Sequence, residues 1–338
     1  MANLFRYTPL FIFYVLTGLL ANAQKKYIFE RPEMGSPFTI TIEAADSMAA
    51  SIAATAAFRK ADSLNAILSD YIDSSEINRL SATSGQGRFI PVSAPLFTIL
   101  QRSIEAARLS HGRYDVTVGP VVRLWRKARK TRTFPDANSL QAALQRTGYR
   151  YLHLDTLHQS VWLERSGMLL DVGGLGKGFV AQAALNLLIA QGFDKAMVNA
   201  GGKIVVGQAP IGQQGWLIAI NAPNEKEELL PGLLSLNSSA IATSGDIYQY
   251  VEINGRRYSH IVDPRTGIGL TRRRNVTAIA PDGTQADWLA TACSILSYKQ
   301  SLKLIRHIPE AALLVTENRR GQIIRRQSST FSKYQRSF

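Results

Sequence analysis

The stretch Leu170 to Phe179, "LDVGGLGKGF", places an acid, four glycines and a lysine where a short apolar run gives way to a helical pattern. Glycines let backbone atoms come close to a ligand or a metal, and the first amides of a helix face anions well, so the stretch suits a phosphate. Neither familiar phosphate loop fits it. A Walker-type loop needs a glycine five positions before its Gly-Lys pair and a hydroxyl after it, where this chain has Asp171 and Gly178. The dinucleotide fingerprint, counted from Gly174 and Gly176, requires its last glycine at Phe179. The plain alternative is a tight strand-to-helix turn with a surface lysine.

The elements that must hold this loop can be read from periodicity. A strand is predicted over Met168 to Asp171 and a helix from about Lys177 to Gln191, followed in "AMVNAGGKIVVG" by two strands broken at Gly201 and Gly202. Upstream, alternation predicts a strand from Phe38 to Glu43, and an Ala-rich pattern predicts a helix over Ser47 to Leu68. Ser93 and Pro95 mark the start of a helix ending near His111, and a short helix is expected over Ala137 to Arg146. Strands follow near 151–154 and 160–163, and again near 216–221, 239–243, 248–253, 276–280 and 311–315, with helices at about 284–296 and 299–307. Interleaved helices and strands without a strict repeat indicate an α/β or mixed α+β layered fold, with mixed sheets and flanking helices in one compact unit. There is no internal repeat, low-complexity linker or clear domain boundary.

The first 23 residues read as an address. Arg6 precedes an apolar run, Leu10 to Leu20, too short to span a bilayer comfortably, and "ANAQ" supplies small residues before a cleavage point after Ala23. The expectation is a signal peptide over 1–23, a single domain over 24–338, and export to the periplasm or its membrane face; an uncleaved anchor is the rival. Cys293 is the only cysteine, so no internal disulfide and no Cys/His zinc pattern can form, and it reads as a small buried hydrophobe. The net charge is +14, concentrated in Arg123 to Arg132, in the triplet Arg272 to Arg274 and beyond Glu317. For an exported protein this favours anionic lipid or an anionic partner over nucleic acid, with a merely solvated basic face as the alternative.

Six segments, taken in order, narrow the field: "MGSPFTI" from Met34, "SHGRYDVTVGPVVRLW" from Ser110, "LDVGGLGKGF", "VNAGG", "SHIVDPRTG" from Ser259 and "ADWLATA" from Ala286. Together they resemble the ApbE family of FAD:protein FMN transferases over nearly the whole mature chain. The resemblance implies a magnesium-dependent enzyme that splits FAD, joins FMN by a phosphoester to a threonine or serine of an acceptor protein, and releases AMP. It implies that Met34, Tyr71, Arg113, Tyr114, Asp115, Asp171, Lys177 and Ile261 line the FAD site. It also implies that Asp287, Thr291 and the Gly174 carbonyl meet the metal, and that His260 serves catalysis. A membrane redox subunit with a Thr/Ser motif is the acceptor it implies.

Each residue also has a plainer reading. Asp287 and Thr291, four apart and so on one helix face, can be a helix N-terminal acid and a core threonine. His260 can be structural, with Asp263, Asp171 and Asp115 as rival bases; the tyrosines can merely pack, and Arg265 can belong to a simple turn. FAD hydrolysis and flavin binding without reaction are the competing activities. Two positions depart from the family pattern: Ala290 where some members have an acid, and Lys203 where aspartate is common after "NAGG".

Overall fold

A computed structural model describes residues 24–220, 233–245, 249–319 and 321–336. The predicted leader, and the ends of the strands expected at 216–221 and 248–253, fall outside them. Eight strands form the main sheet: β1 (Lys25–Glu33), β2 (Ser36–Ala44), β3 (Ala196–Ala200), β4 (Lys203–Val206), β5 (Ser239–Gly245), β6 (Arg274–Ala280), β7 (Ala312–Arg319) and β8 (Gln322–Gln327). Their spatial order is their chain order, and every pairing is antiparallel. The expected layered arrangement is thus present on its α+β side.

Both faces of the sheet are covered. Ala196, Val198, Ala200, Ala240 and Ala242 point to the larger core, while their neighbours Met197 and Ile241 point to a second one. The period of two along each strand sends alternate side chains to opposite faces. This explains why β6 is buried along its whole length rather than alternating. Over the first face lie α1 (Ser47–Leu68), α6 (Gly176–Ala190) and α7 (Gly283–Ile295). Over the second lies a small sheet of Trp216–Ile218, Leu233–Leu236 and Gln335–Arg336, closed by Phe331.

The chain leaves the sheet in two long excursions that converge. The first, between β2 and β3, carries α1, α2 (Glu76–Ser81), α3 (Ala94–Leu109), α4 (Gly119–Thr131), α5 (Ala137–Gln145) and α6. The second, between β5 and β6, carries the hairpins Tyr250–Ile253/Arg256–Ser259 and Val262–Asp263/Ile268–Gly269. A small core built on Trp125 joins them: its ring lies 5.1 Å from that of Tyr258, and its Nε1 donates to the Gly267 carbonyl at 2.7 Å.

Two expectations are corrected, and one segment for which periodicity announced no element is helical. Residues 168–171 form no strand; Leu169 makes a single parallel bridge to Val118. The basic segment around Arg126 is helix α4, with Val121, Trp125 and Ala128 on its buried face. Arg274 of the triplet is buried and donates to the carbonyls of Ser294 and Leu296 at the end of α7, so it is a helix cap and not part of a basic surface. Cys293 lies fully buried in α7, as expected, and burial pushes its thiol up to about 11. No helix among the described residues is long and apolar enough to cross a membrane.

Candidate functional site

The loop Asp171 to Leu175 leads directly into α6, and α7 crosses α6 at unusually short range. A Cβ built on Gly178 would stand 2.0 Å from the carbonyl oxygen of Gly283, so only glycine permits this crossing. The close approach delivers Asp287, on the second turn of α7, to the first turn of α6, where its Oδ2 accepts the Gly178 amide at 3.0 Å. Asp287 is 1% exposed, and its Oδ1 has no hydrogen-bond donor. Burial raises its pKa from the ordinary value, opposed by Lys203, the Gly178 amide and Lys177. One turn further along α7, the Thr291 hydroxyl donates to the Gly174 carbonyl at 3.1 Å and lies 3.3 Å from the Ser244 hydroxyl. Tyr114 and Thr291 crowd Gly174, each with a carbon 3.0 Å from where a Cβ there would stand, so a side chain would fit only if they gave way.

These donors suit magnesium. A buried carboxylate oxygen without a partner, a hydroxyl and a main-chain carbonyl form a hard, all-oxygen set of the kind magnesium prefers, and magnesium ordinarily completes its shell with water and substrate phosphates. Among the described residues no group of three acids, histidines or cysteines competes for the role. Two ammonium groups flank the cluster. Lys177 Nζ donates to Ser36 Oγ at 2.9 Å, and its pKa is lowered by burial and by Lys203. Lys203 Nζ lies 3.8 Å from Asp287 Oδ1.

Asp171, four residues before Leu175, heads a second cluster. Its Oδ1 accepts the Gly173 amide at 2.7 Å and its Oδ2 meets Arg126 at 3.2 Å, while Arg126 also pairs with Asp70 at 2.6 Å. Burial and the neighbouring Asp70 raise the pKa of Asp171, against Arg126. The Arg126 guanidinium lies over the ring of Tyr71, 4.1 Å from its centroid, and Tyr71 is 74% exposed. Arg126 is therefore committed to the site, where charge counting places it only in a docking patch.

Asp115 and Arg113 hold the turn after α3. Asp115 Oδ1 accepts the Thr117 amide and hydroxyl, and Oδ2 accepts the Tyr149 amide, so this carboxylate braces the turn from within. Burial raises its pKa, opposed by those donors. Arg113 reaches across to Asp263 at 2.6 Å and Arg265 to the His111 carbonyl at 2.7 Å, which ties the two excursions together. Asp263 has its other oxygen on the Arg265 amide. Each of the three rival acids thus has donors on both carboxylate oxygens.

His260 differs from them. Its Nδ1 lies 3.0 Å from the Gln249 carbonyl oxygen, which can only accept, so Nδ1 carries the proton and Nε2 keeps its lone pair in the neutral ring. Burial lowers its pKa to about 4, and Arg129, Lys203 and Lys177 act in the same direction. Ile261 and Met34 are half-buried at the margins: Ile261 beside His260, and Met34 in the two-residue β1–β2 turn, where it and Gly35 both have positive φ. A cavity of about 970 Å³ opens elsewhere, between α3 and the strand Leu152–Asp155. None of the nominated residues lines it.

Asp287, Thr291, Gly174, Tyr114 and Lys177 are therefore brought together, and Asp171 with Tyr71 stands on the same loop side. Arg126, Ser36 and Ser244 are additions. Only the fold reveals them, since their partners are remote in sequence.

Comparison with known proteins places the chain in a family. The model of the ApbE family matches residues 34–315. Two relatives called FAD:protein FMN transferase are those of Treponema pallidum, 33% identical with 72% of this chain and 71% of the relative covered, and of Haemophilus influenzae, 31% identical with 80% of each covered. The solved flavin transferase ApbE of Vibrio cholerae superposes with a TM-score of 0.81 at 26% identity, covering 92% of this chain and 99% of its own. With the family model matching most of its length and a relative above 30% identity covering more than two thirds of it, the chain belongs to the ApbE family.

Proposed function

We propose that the protein is an FAD:protein FMN transferase that uses magnesium. The observation that carries this reading is the oxygen cluster of Asp287, Thr291 and Gly174, set at a glycine loop between two lysines. It combines metal ligands with the cations that a pyrophosphate requires. Magnesium, when bound there, would neutralise pyrophosphate charge as it builds in the transition state.

The chain's own groups supply the rest. Lys177 would bring its ammonium to the phosphates, and Tyr71, stacked against Arg126, would offer its exposed ring to a flavin or adenine. The hydroxyl oxygen of an acceptor threonine or serine attacks the phosphorus on the FMN side. The P–O bond to AMP breaks, and AMP leaves with the electron pair. His260 Nε2, unprotonated at neutral pH, takes the hydroxyl proton. Asp115 and Asp263 position the turn and the hairpin rather than exchange protons.

Export through a leader ending at Ala23, and action on the periplasmic side upon a membrane redox subunit, complete the proposal; the apolar run after Arg6 and the family's acceptors support them. The test incubates the protein with FAD, magnesium and a candidate acceptor, and follows acceptor mass and AMP. Wild type should add an FMN-sized mass, while Asp287→Ala should add none with its circular dichroism unchanged. Full transfer by Asp287→Ala would remove the metal assignment, and AMP without an acceptor adduct would favour hydrolysis.

A further inference from the structure

Lys203 occupies an odd place for a lysine. It opens β4 immediately after the Gly201–Gly202 turn, and its side chain runs inward so that it is only 15% exposed. Its Nζ donates to the Thr243 carbonyl at 2.6 Å. The same Nζ stands 3.8 Å from Asp287 Oδ1, too far for a hydrogen bond and near enough for an ion pair. Oδ1 is the oxygen that has no donor, whereas Oδ2 is occupied by Gly178. Lys177, the other ammonium nearby, is held by Ser36.

An unpaired buried carboxylate is costly, so a protein that must keep Asp287 charged without metal needs a cation beside Oδ1. Magnesium bound to that oxygen would sit roughly 2.1 Å from it. An ammonium at 3.8 Å from the same oxygen would then face a dication across a short gap in a poorly screened interior, where like charges repel strongly. The ammonium therefore opposes capture of the metal at that oxygen. The lysine stem has four flexible carbons and its second anchor is a single carbonyl, so Lys203 can swing away when a phosphate is present to receive it.

We propose that Lys203 is a tethered counter-ion that competes with divalent metal for Asp287, holding the carboxylate in the metal-free protein and weakening its capture of free metal. This rests on the reading of Asp287 as a metal ligand. Its consequence is an order of assembly: metal enters effectively with an anionic substrate that draws the ammonium aside, rather than before it.

The test is calorimetric titration of the protein with manganese(II) alone, without FAD, in wild type and in Lys203→Met, Lys203→Gln, Lys203→Arg and Asp287→Ala. Removing the charge should tighten manganese binding by about tenfold or more in both neutral variants, while Lys203→Arg should stay as weak as wild type. Two neutral variants guard against one that fails to fold, which circular dichroism would reveal. If Lys203→Met and Lys203→Gln bind no tighter than wild type while Asp287→Ala loses binding, the counter-ion proposal is overturned and the metal site stands. If Asp287→Ala binds manganese as wild type does, the metal assignment itself fails.

Discussion

His260 illustrates how little of a residue's chemistry its type determines. An imidazole in water titrates near ~6.5, and an ordinary histidine would be partly protonated at neutral pH. Here burial lowers the value to about 4, and the Gln249 carbonyl selects the tautomer that leaves Nε2 available. A nuclear magnetic resonance titration of the metal-free protein should place its midpoint near 4. Because the folded value is depressed, the unfolded chain binds more protons between the two values. The contribution to stability is therefore present above pH ~6.5 and lost as pH falls towards 4. His260→Gln should flatten that part of the curve of melting temperature against pH; an unchanged curve would show that the environment does not depress the imidazole.

At the scale of elements, the crossing of α6 and α7 is what converts two separate sequence motifs into one site. Gly178→Ala should lower stability by about 1–3 kcal/mol through overpacking against backbone that has little freedom to retreat. It should also weaken metal binding by displacing Asp287, which a stability effect alone would not do; thermal melts with and without magnesium separate the two. Much at this scale is legible in the sequence. The helix read over Ser47 to Leu68 has those bounds in the fold, and the break at Gly201 and Gly202 falls between β3 and β4 as expected. The four-residue spacing of Asp287 and Thr291 correctly places both on one helix face. Local pattern fails where long-range contact decides. Helix α4 is masked by its run of basic residues, although its apolar positions Val121, Trp125 and Ala128 are buried on one side. The pairs Arg126–Asp70 and Lys203–Asp287 join segments remote in the chain, so no periodicity announces them.

For the whole molecule, the positive charge divides into a structural part and a free-facing part. Arg126 and Arg274 are spent internally, whereas Arg123, Lys127 and Lys130 project from the exposed side of α4. We propose that this free-facing side meets anionic lipid: wild type should bind vesicles containing phosphatidylglycerol, and replacing Lys127 and Lys130 with glutamine should weaken that binding by roughly tenfold or more, at about 1 kcal/mol per charge, and reduce its dependence on salt. No vesicle binding by wild type, or equally tight binding by the double variant, would overturn this.

The single thiol of Cys293 lies two residues beyond Thr291, sealed in the interior of α7 and with its pKa raised to about 11. It is inert to alkylating reagents while the helix is seated, and no other cysteine in the chain reacts in its place. The rate at which a thiol reagent labels the native protein therefore measures how often α7 opens. Since the same helix carries Asp287 and Thr291, a ligand that bridges them to Gly174 should slow the labelling, giving a direct reading of site closure that requires neither flavin absorbance nor an acceptor.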